Sequence, residues 1–125
     1  LKYLKKVNNS KADIGLCFNK KIYESGTSNI FFIKNKKIFS PINNFYKGTN
    51  YKYFEKKIRI IKKNIILKQL NKFEEIILIG SGKGVTSVKN INEIKWKRRD
   101  NTIFKKLSLI YNKEIKKQKN INKLL

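Results

Sequence analysis

The chain of 125 residues predicts a single domain of mixed α/β (α+β) class, a sheet with helices on its outer face. Three observations carry that prediction. The first 40 residues hold four short apolar runs bounded by polar turn residues, the pattern of hairpin strands. Two later segments, one after Gly48 and one after Asp100, repeat apolar residues every three or four positions, which is the period of an amphipathic helix. Between them lies "IILIG", an apolar run ending in glycine that reads as a buried strand.

Taken in order, "LKYLKKV" sets Leu1, Leu4 and Val7 at helical spacing, and "NNSKAD" ends that element. "IGLCF" and "KKIYE" flank a polar turn at Asn19 and Lys20, and "SNIFFIK" and "IFS" flank the turn "NKK" before Pro41. In "YKYFEKKIRII" the residues Tyr51, Phe54 and Ile58 recur as on one helix face, with Asn50 placed to cap the helix start. "IILKQLNKFEE" mixes a strand end with a short helical turn. "IILIG" and "GVTSVKNI" then read as successive strands, and Trp96 falls in a basic loop. Asp100 is placed as a second N-cap, before a helix carrying Ile103, Leu107 and Ile110, and the tail "KKQKNINKLL" is expected to fray.

Composition excludes several chemistries. There is no histidine and only one cysteine, so neither a Ser-His-Asp nor a Cys-His pair can be built, nor a His/Cys metal cluster. Cys17, inside "IGLCF", reads as a buried reduced thiol. The formal charge of +23 raises the alternative of a basic nucleic-acid-binding module. Against it, the cations are nearly all lysine, with Arg59, Arg98 and Arg99 as the arginines, and they are spread along the whole chain. No specific nucleic-acid partner is expected. No apolar run approaches the roughly 18 residues of a membrane span, so no membrane partner is expected either, and no signal peptide is visible; the location expected is the cytoplasm. The absence of methionine reads as a chain that lacks its own start.

The run "EEIILIGSGKGVTSV" invites comparison with a nucleotide-binding P-loop. That motif needs a glycine five residues before the Gly82-Lys83 pair and a hydroxyl residue after it; Ile77 and Gly84 stand there instead. What remains is a strand that stops at Gly80 and a tight glycine turn with N–H groups available to an anion. Two other places stand out: Glu24 in "YESGTSNIFF" and the glycine of "KGTN" where a helix opens. Singly, each has an ordinary explanation as a solvated carboxylate, a helix boundary or a turn.

Together, "ESGTSNIFF", a lone proline, a glycine opening a helix and "IGSGKGVTSV" resemble the C-terminal half of class IV (fold type IV) pyridoxal-phosphate enzymes. Branched-chain and D-amino-acid aminotransferases and 4-amino-4-deoxychorismate lyases belong to that family. The resemblance implies the larger, C-terminal domain, with a curled mixed sheet and helices outside, lacking the small N-terminal domain. It implies pyridoxal 5'-phosphate as cofactor and assigns it Glu24 beside the pyridine nitrogen, Gly48, Thr49 and Asn50 at the phosphate, and Gly80 and Ser81 closing the phosphate's other side. Gly82 is assigned to the substrate carboxylate. "LKYL" resembles the family's "LNYL", which follows the Schiff-base lysine; that lysine is expected just upstream of Leu1, with Lys2 in the asparagine's place and Tyr3 near the ring hydroxyl. The family's G-I-T-R is here Gly48-Thr49-Asn50-Tyr51, without the arginine. The implied partners are a small amino substrate and, at full length, a second copy of the chain in a homodimer. "GSGKGV" and "SNIFF" lie closer to the lyase, which makes p-aminobenzoate for folate by eliminating pyruvate; the aminotransferases are the alternative.

Overall fold

The structure, a computed structural model, describes residues 16–18, 21–24, 29–42, 47–80 and 84–124. The helix expected over residues 1–7 lies outside them. Strand β1 (Leu16–Phe18) pairs antiparallel with β2 (Lys21–Glu24), and β3 (Asn29–Lys34) with β4 (Lys37–Ser40), as the apolar runs predict. The β3–β4 turn places both Asn35 and Lys36 at positive φ, 51° and 61°, the handedness that matches the twist of paired strands. Glu74 holds this turn by accepting the Asn35 N–H at 2.8 Å.

Helix α1 (Thr49–Lys57) is shorter than its apolar spacing suggests. Ile58 is already extended, with its N–H still bonded to the Phe54 carbonyl, and the chain turns into β5 (Ile60–Lys62), parallel to β4. Three β-branched isoleucines within four residues favour the pleated surface once the helix face is complete. The ambiguous segment resolves into a 3₁₀ turn over Leu67–Lys72. It leads to β6 (Glu75–Gly80), which lies antiparallel along β3 from Asn29 opposite Ile79 to Ile33 opposite Glu75, and then to β7 (Gly84–Ser87), antiparallel to β6. The result is an open, mixed, seven-stranded sheet.

Alternation along the two central strands divides the core. Ile30, Phe32, Ile76 and Leu78 face one side; Phe31, Ile33, Ile77 and Ile79 face the other. Helix α1 and helix α2 (Thr102–Leu124) both cover the second side, through Tyr51 and Phe54 and through Ile103 and Leu107. Leu70, Phe73, Val88, Ile91 and Trp96 cover the first. No helix among the described residues is long and apolar enough to cross a membrane.

Three local expectations are overturned. Trp96 is not in a basic loop: it forms β9 (Trp96–Lys97), paired with β8 (Asn90–Ile91), and is fully buried, its indole N–H donating to the Phe73 carbonyl at 3.0 Å. Asp100 stands one position before the cap, since Asn101 supplies the carbonyl for the first helical bond, from Lys105 N at 3.1 Å. The Asp100 carboxylate still receives the Thr102 N–H at 3.1 Å, which holds its pKa below the ordinary value together with the Thr102 hydroxyl bond, the stronger cause. The tail continues α2 through Leu124 instead of fraying.

Trp96→Phe should keep most of the apolar burial and lose the indole bond. The Phe73 carbonyl stays satisfied, because Arg99 Nη2 also donates to it at 3.1 Å. A loss of about 1.5 kcal/mol in urea unfolding is expected, the sum of one hydrogen bond and a small volume change.

Candidate functional site

Four segments come together at the end of the sheet where β3 begins and β6 stops. Asn29, the first residue of β3, is buried and sits opposite Glu24 of β2 on one side and Ile79 of β6 on the other. Its side-chain oxygen accepts the Gly48 N–H at 3.0 Å, anchoring the start of α1 to the sheet. A Cβ at position 48 would lie 3.3 Å from that oxygen, so glycine permits the close approach.

Gly48, not Asn50, is the N-cap of α1, and no side chain caps it. Asn50 instead turns its amide across to the Gly80 carbonyl at 2.9 Å. The distinction matters because the first N–H groups of a helix have no intrahelical acceptor. Those of Thr49 and Asn50 therefore open at the same end of the sheet as Gly80, in the half of the helix dipole that favours an anion. The Gly48 N–H is already committed to Asn29.

Positive charge lies close behind. Tyr51, fully buried in the first turn of α1, shares a 2.7 Å hydrogen bond with the Ser40 hydroxyl and receives a bond from Lys62 Nζ. Lys62 and Lys47 also reach Glu55, at 2.7 and 3.1 Å. Burial by itself would lower the Lys62 pKa, but the Glu55 carboxylate and the Tyr51 hydroxyl outweigh it and raise the value. The Lys62 bond, in turn, holds the Glu55 carboxyl below the ordinary range, against the opposing effect of burial.

The sequence-assigned residues thus divide. Gly48, Thr49, Asn50 and Gly80 are brought together, and the backbone of Glu24 lies next to their Asn29 anchor. Ser81, Gly82, Tyr3 and Lys2 lie outside the described residues. Asn29 was not singled out from the sequence, although a polar residue opening the apolar run "NIFFIK" is a visible signal. The donor set and the uncapped helix start fit a phosphate-bearing anion.

The hairpin that carries Gly80 is braced from outside by α2. Gly84 has φ of +67°, and a Cβ there would lie 2.7 Å from the Tyr111 ring. Gly84→Ala should cost about 2 kcal/mol in urea unfolding, from left-handed strain plus displacement of that ring.

The Amino-transferase class IV family model matches residues 2–91, and the chain belongs to that family. Among solved structures, an aminotransferase from Brucella abortus bound to the co-factor PLP has 19% identity and a TM-score of 0.65, covering 75% of this chain and 35% of its own. The branched-chain amino acid aminotransferase from Escherichia coli has 20% identity and a TM-score of 0.64, with coverage of 76% and 35%. The 4-amino-4-deoxychorismate lyase from Pseudomonas aeruginosa has 16% identity and a TM-score of 0.65, with coverage of 76% and 37%. The fold is therefore that of the fold type IV enzymes, and the chain spans little more than a third of these structures. No curated protein matches the chain in sequence.

Proposed function

We propose that this chain is the larger, cofactor-binding domain of a pyridoxal-phosphate enzyme, working in a homodimer with a small N-terminal domain, and that its reaction is the lyase reaction on 4-amino-4-deoxychorismate. The observation that carries the reading is the Asn50–Gly80 bond at 2.9 Å, which ties the two glycine-bearing segments assigned to the phosphate to one another. Thr49 and Asn50 N–H groups would hold the phosphate, with Ser81 on its other side and Gly82 leaving room for the substrate carboxylate. Glu24 would keep a proton on the pyridine nitrogen. When bound, the cofactor supplies an electron sink for charge developing at the substrate's α-carbon. The lysine expected upstream of Leu1 would remove the α-proton as general base.

Lyase and aminotransferase differ in their need for an acceptor. The lyase expels pyruvate and aromatises the ring to p-aminobenzoate, with no second substrate; a transaminase needs a keto acid as second substrate to receive the amino group. The intact protein is expected to release pyruvate from aminodeoxychorismate with no keto acid present. Turnover of branched-chain amino acids only when an acceptor is supplied would keep the family and remove the lyase assignment.

A further inference from the structure

Lysines that are scattered along the sequence converge at one place in the fold. Between the β3–β4 turn, the end of α1 and one side of α2 lies a groove of about 450 Å³. Lys36, Lys37, Lys57, Arg59 and Lys106 line it, and no carboxylate does. Its remaining lining is five isoleucines, among them the buried Ile103 of α2 and Ile58 where α1 ends. The site described above lies at the opposite end of β3, five residue steps or about 17 Å away at the usual strand rise.

The groove's cations are poorly compensated. The salt bridges among the described residues use Lys47 and Lys62, both on Glu55, and none of the groove's five. Asp100 acts on Lys36 from outside the lining, and Lys57 lies over the Tyr53 ring at 5.6 Å. Glu75, behind Ile103, is turned to the N–H groups of α2. Concentrating like charge on a low-dielectric apolar wall is costly, and an anion seated there relieves the cost.

The isoleucines restrict which anion. An inorganic ion would leave them wet, whereas an aliphatic body would bury them, and the lining has neither an aromatic ring to stack a base nor a side-chain acceptor to read one. We propose that this groove binds a free amphipathic anion, an aliphatic chain of fatty-acyl type lying on the isoleucines with its carboxylate at Arg59 and the rim lysines. The guanidinium fork suits a carboxylate held by two parallel bonds. The proposal does not depend on the cofactor reading.

The test is calorimetric titration of the intact protein with hexanoate, octanoate and decanoate. Affinity should rise between about 3- and 15-fold for each two methylenes, the upper figure corresponding to full burial at about 0.8 kcal/mol per methylene. Arg59→Glu and Lys37→Glu, both at exposed positions, should each weaken decanoate by about tenfold or more. Lys89→Glu makes the same charge change at an exposed position outside the groove and should leave affinity within about twofold, since distant exposed charges are screened. An equal loss with Lys89→Glu would overturn the site in favour of general attraction to a basic protein. Inorganic phosphate competing as well as decanoate would overturn the apolar component. Capture by phosphatidylglycerol vesicles without binding of free decanoate would replace the ligand with a membrane surface.

Discussion

Glu75→Ala should lower the stability of the domain by about 3 kcal/mol, read as a fall in the urea midpoint with the slope unchanged. Glu75 is completely buried at the start of β6, and its two carboxylate oxygens accept the N–H groups of Ile103 at 3.1 Å and Phe104 at 3.0 Å. The carboxylate thus satisfies two N–H groups in the first turn of α2 from 28 residues upstream. Removing it leaves the buried Ile103 N–H unpaired, at roughly 1–3 kcal/mol, together with the half-buried Phe104 N–H, and takes a negative charge from the positive end of the helix dipole. Glu75→Gln keeps one acceptor and the volume of the side chain, so its loss should be smaller than that of Glu75→Ala.

The pH dependence separates the carboxylate from its shape. Burial raises the Glu75 pKa above the ordinary 4.5, outweighing the two N–H bonds that lower it. A raised folded value means that the folded state binds this proton more tightly than the unfolded chain does. The resulting stability is fully present below 4.5 and is lost as pH climbs through the folded value. The advantage of wild type over Glu75→Gln should therefore shrink as pH rises from 4.5. A gap that stays constant or widens across that range would mean that Glu75 is not the buried acid.

Glu74 and Glu75 also mark the limit of sequence reading. They are adjacent and chemically identical, yet one steadies a turn from the surface and the other holds the first turn of a helix from the core. Which is which depends on the register of β6 against β3 and on where α2 lands, and no local pattern encodes either. The hairpins and the α2 core face were legible because apolar runs and helix periods are local properties: the run over residues 30–33 is buried throughout, and Ile103 and Leu107 are buried as their spacing predicts. Ile58 also packs against the predicted side of the core, but from extended backbone, since a spacing of four does not tell a helix's last turn from the strand that follows it. Trp96 was hidden by its lysine and arginine neighbours, although burial of a single indole outweighs the polarity of flanking residues whose side chains reach solvent. At the candidate site, Gly48 and Gly80 come together at one end of the sheet. The carboxamide contacts between them, Asn29 to Gly48 and Asn50 to Gly80, join residues 19 and 30 positions apart and have no sequence signature.

Glu24→Gln should leave the intact enzyme able to retain its cofactor while cutting turnover by about 100-fold or more, within the range expected for loss of a positioned proton-holding group. The expectation rests on the family role assigned to this carboxylate. Its strand position is compatible with that role: Glu24 ends β2 opposite Asn29, the residue that fixes the α1 start where Thr49 and Asn50 would meet the phosphate. A carboxylate beside the pyridine nitrogen stabilises the proton there; a carboxamide, carrying no charge, does so only weakly, and the ring then withdraws electrons less strongly. Phosphate contacts made by other residues are untouched, so the absorbance of bound cofactor after gel filtration should be retained within about twofold. Falls in cofactor content and rate of equal size would make Glu24 a binding residue. Unchanged turnover would return it to an ordinary strand-end carboxylate, and the pyridine partner would then have to be sought among the remaining acidic residues.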